Sequence, residues 1–250
     1  MKKRRWFSLF LSFALLLPLF SLTSADAYED FTLDAKAGLL IEADTGEILY
    51  EKNAHQENFP ASLTKVMVAL LVFEAIDEGK IALTDSVTAT ESAFEGLSSD
   101  GSTANIVPGE TMTVEQLLNC MLIVSANEAC NILGETLCGS VDAFVARMNE
   151  RAAELGCEHT HFANATGLHN SQHYTTAWDL YLITREALKH DKFMEICNSK
   201  SYTVPATNMT DKPRELHSTN FLISNWRARG YVYRDAQGIK TGSTRAAAAT

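Results

Sequence analysis

The chain has 250 residues, 46% of them apolar, a formal net charge of −10 and a mean hydropathy of −0.07. These values describe an ordinary globular protein and argue against a polyanion such as nucleic acid as its partner.

The N-terminus predicts export. Lys2, Lys3, Arg4 and Arg5 form a basic n-region, an apolar run follows from Trp6 to Phe20, and Ala25 and Ala27 supply an A-x-A cleavage signal. The run of about 15 residues is short of the roughly 20 that span a bilayer. Residues 1–27 are therefore expected to be a signal peptide, and residues 28–250 a single exported, extracytoplasmic domain in the cell wall or periplasm. Removing the signal's four basic residues and one acidic residue leaves 17 basic against 30 acidic, a net of −13 over 223 residues. That length suffices for one large core or two closely joined subdomains.

Along the mature chain, residues 37–50 predict a β-hairpin: Leu39 and Ile41 alternate, Ile48 and Tyr50 alternate, and Asp44-Thr45-Gly46 turns the chain. Phe59-Pro60-Ala61 leads into a helix over 62–78, with Val66, Ala69, Leu70 and Phe73 at helical spacing and Gly79 ending it. Residues 81–112 read as irregular. Thr113 and Gln116 form a capping box for the next helix, whose apolar run halts at Ser125-Ala126-Asn127 and resumes from Ala129 to Leu137. Polar residues interrupting two buried helical segments need a partner or a function. Amphipathic helices are predicted over 141–155 and 176–189, a mixed, turn-rich stretch over 199–238, and an edge strand over Lys240–Ser243. The last residues, 245–250, show neither turn nor strand alternation.

Five cysteines, Cys120, Cys130, Cys138, Cys157 and Cys197, include no C-x-x-C, and their plain reading is as small buried apolar side chains. His159 and His161 lack a third ligand at a recognisable spacing, so no metal is expected.

Three motifs carry chemistry in order: Ser62-Leu63-Thr64-Lys65, Ser125-Ala126-Asn127 and Lys240-Thr241-Gly242. Ser62 and Lys65 at i, i+3 share one helix face, within side-chain reach. Ser62 at the helix start can aim its own N–H at a bound carbonyl. Lys65 can accept the serine proton only if its pKa falls well below about 10.4, through burial and a second cation, for which Lys240 is the candidate. Ser125 can pass a proton to a leaving amine, Asn127 can fix a substrate amide, and Lys240–Ser243 can pair with an extended peptide. A lone S-x-x-K arises by chance about once in a chain of this length. S-x-N is weaker, since Ser218-Thr219-Asn220 also fits; Ser125 is preferred because it breaks a buried helical pair between the other two motifs.

With these motifs the chain resembles the low-molecular-mass penicillin-binding proteins, the serine D-Ala-D-Ala carboxypeptidases, from about Ala35 to Thr244. Further matching stretches are Asp44-Thr45-Gly46, Phe59-Pro60-Ala61 before the serine, Val107-Pro108-Gly109-Glu110, Phe162 to His169, and His173-Tyr174-Thr175-Thr176-Ala177-Trp178-Asp179. The resemblance implies an α/β (α+β) fold of the β-lactamase/transpeptidase type: a five-stranded antiparallel sheet with helices on both faces and a helical subdomain beside it. It implies that Ser62 is acylated by the penultimate D-Ala of a peptidoglycan stem peptide, with β-lactams as covalent inhibitors and no cofactor. Lys65 would be general base and Ser125 and Lys240 proton-relay and electrostatic partners. Asn127, Lys240, Thr241, Gly242 and Ser243 would bind substrate, and the amides of Ser62 and Ser243 would form the oxyanion hole.

The chain stops ten residues after Lys240. Against the resemblance it reads as cut short, with two sheet strands, a carboxylate-binding basic residue and any membrane-binding tail expected beyond residue 250. Two other readings stand beside the carboxypeptidase. One is a β-lactamase, for which Glu158 is the nearest deacylating candidate but lies in the wrong local pattern. The other is a non-catalytic penicillin-binding sensor or inert remnant.

Overall fold

Helix α1, Lys65–Asp77, is the axis of the structure. The spacing of Val66, Ala69, Leu70 and Phe73 predicts one apolar stripe, but every residue from Lys65 to Phe73 is buried. A helix apolar on all sides belongs inside a protein rather than on its surface. Four further helices accordingly pack around it: α2 (Val114–Ile123), α3 (Asn127–Cys138), α4 (Val141–Glu154) and α5 (Ala177–Ala187). Arg151 of α4 clasps Glu74 of α1 through Nε and Nη2, the shortest contact being 2.7 Å. A short helix α6 (Asp191–Cys197), in a stretch for which no element was expected, packs on α2.

The computed structural model describes residues 33–249, and the signal peptide expected at 1–27 lies outside the described residues. From Lys36 onward the chain forms one compact unit. Among the described residues no helix is long and apolar enough to cross a membrane.

Among the described residues, strands occur as four separate antiparallel pairs. The expected hairpin is present as β1 (Gly38–Ile41) and β2 (Ile48–Lys52), with Gly46 at φ +75° in the turn. Within the stretch read as irregular, β3 (Ser86–Thr88) pairs with β4 (Thr111–Thr113). The mixed stretch contains the hairpin β5 (Ser201–Val204) and β6 (Arg214–His217), and the chain's last described pair is β7 (Ser243–Thr244) with β8 (Ala248–Ala249). The class is as expected, helices with antiparallel strands, but a five-stranded sheet is not assembled among the described residues. No described strand pairs with both β2 and β7, so Leu40, Ile48 and Leu49 of the hairpin stay close to half exposed.

Two local expectations need correction. Lys240–Gly242 lies outside any strand, and the strand begins only at Ser243. Residues 245–247, read as featureless, form the turn that returns the chain as β8.

The capping box is as expected: Thr113 Oγ1 accepts the Gln116 amide at 3.2 Å, and Gln116 Oε1 accepts the Thr113 amide at 2.9 Å. The break between α2 and α3 is a single left-handed residue, Ser125, at φ +66°. The Ala126 amide then reaches back to the Cys120 carbonyl, and the Asn127 amide to that of Ser102. All five cysteines are free thiols, and all but Cys138 are buried.

Candidate active site

Ser62 lies in a 3-10 turn, Ala61–Thr64, that runs directly into α1. Three residues on, Lys65 is fully buried, and its Nζ has three neighbours: Ser62 Oγ at 3.1 Å, Asn127 Oδ1 at 2.8 Å and the Thr166 carbonyl oxygen at 2.7 Å. Loss of hydration lowers the Lys65 pKa, while Cys130 and the Glu128 carboxylate oppose the shift. Of the two expected causes, burial and a second cation, burial acts on Lys65, and the coupling to the second lysine is seen on Lys240.

Lys240 keeps some surface exposure. Burial of its ammonium first, and the repulsion of Lys65 next, lowers its pKa to about 7. Its Nζ donates to the Thr241 carbonyl at 2.7 Å. Thr241 Oγ1 lies 2.6 Å from Thr219 Oγ1, Gly242 is buried, and the exposed Ser243 opens β7, which packs against the turn carrying Ser62.

Ser125 is buried, and its Oγ has no hydrogen-bond partner. A hydroxyl so placed leaves a polar group unpaired until something else supplies the bond. The competing Ser218-Thr219-Asn220 lies along the Lys240 segment instead. Asn220 Nδ2 donates to the Gly238 carbonyl at 2.6 Å, and the Thr219 amide donates to Ile123 at the end of α2 at 3.2 Å.

The structure thus joins Ser62, Lys65 and Asn127 by direct contact, sets Ser125 beside Asn127 in the chain, and brings Lys240 within the field of Lys65. Thr241, Gly242 and Ser243 follow Lys240 along the segment that reaches the serine turn. Glu158, the residue weighed for a β-lactamase, is exposed on the turn after α4. No group of three His, Cys, Asp or Glu side chains stands close enough to hold a metal among the described residues.

Sequence reasoning gave no role to the loop behind the site. Asn164 Oδ1 accepts from the Thr166 amide, the Thr166 hydroxyl and the Gly167 amide at 2.8–3.1 Å, shaping the loop that presents the Thr166 carbonyl to Lys65. Gly167, at φ +84°, lies so close that a Cβ there would stand 1.8 Å from the Ala61 carbonyl oxygen. The signal was available, since an Asn side chain can bond the backbone two residues on and a Gly, here Gly167, supplies a positive φ. What the turn delivers is a main-chain oxygen, which no residue type announces. Glu128 is a second omission: its Oε1 accepts from Thr103 Oγ1 and the Ala104 amide at 2.7 Å, fastening the 103–106 loop to the start of α3.

Comparison with known proteins finds relatives over most of this chain. The chain is 39% identical over 211 residues to the D-alanyl-D-alanine carboxypeptidase DacF of Bacillus subtilis, covering 84% of this chain and 51% of the relative. It is 33% identical over 217 residues to DacA of Escherichia coli K12, covering 85% of this chain and 50% of that one. The chain therefore spans about half the length of the curated relatives it matches. The crystal structure of the Streptomyces K15 DD-transpeptidase superposes with a TM-score of 0.78 at 28% identity, covering 89% of this chain and 85% of that one. The family model for D-alanyl-D-alanine carboxypeptidase, peptidase family S11, matches residues 23–250, and the chain belongs to that family.

Proposed function

We propose that the chain carries the catalytic domain, residues 28–250, of an exported serine D-Ala-D-Ala carboxypeptidase. It acts on peptidoglycan stem peptides outside the cytoplasm and is acylated by β-lactams. The observation that supports this most is the surroundings of Lys65 Nζ. Asn127 Oδ1 and the Thr166 carbonyl are acceptors only. A neutral amine spends its two N–H donors on them and keeps one lone pair, and the remaining neighbour is the Ser62 hydroxyl. Burial lowers the lysine pKa in the direction this requires.

In that reading Ser62 Oγ attacks the carbonyl carbon of the penultimate D-Ala as its proton passes to Lys65. The oxyanion forms against the amides of Ser62 and Ser243. The C–N bond then breaks, and the departing D-Ala amine takes a proton through Ser125, whose buried hydroxyl has no hydrogen-bond partner within the protein. Asn127 and the Lys240–Ser243 segment hold the peptide. Water hydrolyses the Ser62 ester with Lys65 again as base, releasing the shortened peptide. Release of free D-Ala from diacetyl-L-Lys-D-Ala-D-Ala by the purified chain tests the proposal. Turnover of that peptide at a rate no greater than the Ser62→Ala variant's contradicts it.

A further inference from the structure

Behind the serine turn runs a chain of hydrogen bonds whose proton directions are fixed by the groups at its ends. The Ala163 amide can only donate, and it points at His173 Nδ1 at 3.0 Å. The imidazole is neutral only with its proton on the other nitrogen, so Nε2 carries the hydrogen. Nε2 lies 2.8 Å from Thr64 Oγ1, which therefore accepts, and the Thr64 hydroxyl proton goes to the Ala61 carbonyl at 2.8 Å. A carbonyl cannot donate, so no other assignment satisfies all three contacts.

His173 is buried and rigidly placed. Tyr174 bridges to His161 and Thr175 to Asn58, while Phe162 meets the imidazole edge to face at 5.7 Å. Desolvation, and next the neighbouring His161, lowers its pKa to about 4, which keeps it neutral near pH 7. Thr64 stands at the start of α1, where a threonine usually caps the helix, yet its side chain caps nothing. Its hydroxyl is used on Ala61 instead.

Ala61 is a non-glycine residue at φ +49°, a backbone state that persists only where the surroundings enforce it. Two things hold it here: the Thr64 hydroxyl on its oxygen, and the close face of Gly167. The Ala61 carbonyl and the Ser62 amide belong to one planar peptide unit, in which C=O and N–H point in opposite directions. Fixing the oxygen fixes the aim of the Ser62 N–H.

We propose that His173 is a positioning residue: acting through Thr64 and the Ala61 carbonyl, it orients the Ala61–Ser62 peptide plane and so aims the Ser62 amide at the substrate's developing oxyanion. The inference rests on the function proposed above. Nothing in it requires His173 to touch substrate.

The test has a structural arm and a kinetic arm, both on the whole chain. In the first, the 15N-labelled Ser62 amide resonance is compared among the parent, Thr64→Val, Thr64→Ser, His173→Asn and His173→Gln. The Val and Asn variants are expected to shift it. The Ser variant, which keeps the hydroxyl, and the Gln variant, which returns an N–H near the Nε2 position, are expected to restore it. In the second arm, acylation by a fluorescent penicillin is expected to slow about 10- to 100-fold in Thr64→Val, with prior non-covalent binding within about twofold, as befits a misaimed oxyanion donor. The Thr64→Val/His173→Asn double variant should be no slower than Thr64→Val alone, because both remove one connected device. A merely structural role would lower the melting temperature without separating acylation from binding. An unmoved Ser62 amide in Thr64→Val, or a moved amide with parent-rate acylation, overturns the inference. If the parent itself does not acylate, the functional reading falls, and the Ser62 amide alone still decides whether His173 positions it.

Discussion

Thr166 offers its main-chain oxygen to Lys65 Nζ at 2.7 Å across 101 residues of sequence. With Asn127 Oδ1 on the same nitrogen, it fills the donors of a neutral amine and leaves the lone pair for Ser62. An arginine at 65 keeps a charge but cannot give up its proton, and its planar fork does not fit a site built for one nitrogen. Lys65→Arg should therefore lose acylation as severely as Lys65→Ala, by about 10²- to 10⁴-fold. Stopped-flow labelling with a fluorescent penicillin measures it. Near-parent acylation by the Arg variant would make Lys65 an electrostatic residue and place the base elsewhere.

Gly167 and Gly109 offer a controlled comparison, because both have φ close to +83° and differ in their surroundings. A Cβ at Gly109 meets nothing within 4 Å, whereas one at Gly167 stands 1.8 Å from the Ala61 oxygen and 2.3 Å from its carbon. Gly109→Ala should cost about 1–2 kcal/mol from backbone conformation alone. Gly167→Ala adds a collision with the backbone of the serine turn. It should unfold at clearly lower urea concentration than Gly109→Ala and lose penicillin labelling even where it folds. Equal midpoints for the two variants would refute the close approach.

The buried imidazole of His173 makes stability depend on acid. Its pKa is about 4 in the folded chain against an ordinary 6.5, so between those values the unfolded chain binds more protons. Stability is then complete above about pH 6.5 and declines as pH falls toward 4, by about 3 kcal/mol in all. Chemical denaturation at pH 7, 5.5 and 4 should show a steeper loss for the parent than for His173→Gln, which has no titrating group there. Parallel losses would mean that His173 is not held neutral by burial.

For Lys240 the expected effect is kinetic. If its cation is needed beside Lys65, activity should decline as pH rises through about 7, where the folded side chain gives up its proton. Lys240→Arg, whatever its absolute rate, should move that decline upward by two pH units or more, since arginine stays charged. A decline in kcat/KM at the same pH in both proteins would assign the alkaline limb to another group.

Much of this was legible in the sequence, for physical reasons that differ by element. The capping box at Thr113 and Gln116 and the Asp44–Gly46 turn are local devices, written within four residues of chain. The break at Ser125 was visible because polar residues cannot continue two buried helical segments without cause. Less legible were β3 and β4, three residues each, too short to show alternation. Helix α6 is only seven residues long and follows α5 closely. The five-stranded sheet was expected from resemblance, and the described residues form separate pairs in its place. At the site, the side chains of the three motifs announce themselves by type. Thr166 does not, because its contribution is a carbonyl, and Thr64 and His173 act one and two bonds removed from the serine.

Acylation of Ser62 is the central event of the proposed reaction. Intact mass of the chain after exposure to benzylpenicillin, followed by peptide mapping, tests this most directly. One equivalent of penicilloyl adduct is predicted, on the peptide containing Ser62, and none on Ser62→Ala of unchanged melting temperature. An adduct that persists in Ser62→Ala, or a folded parent that takes up none, would contradict the account.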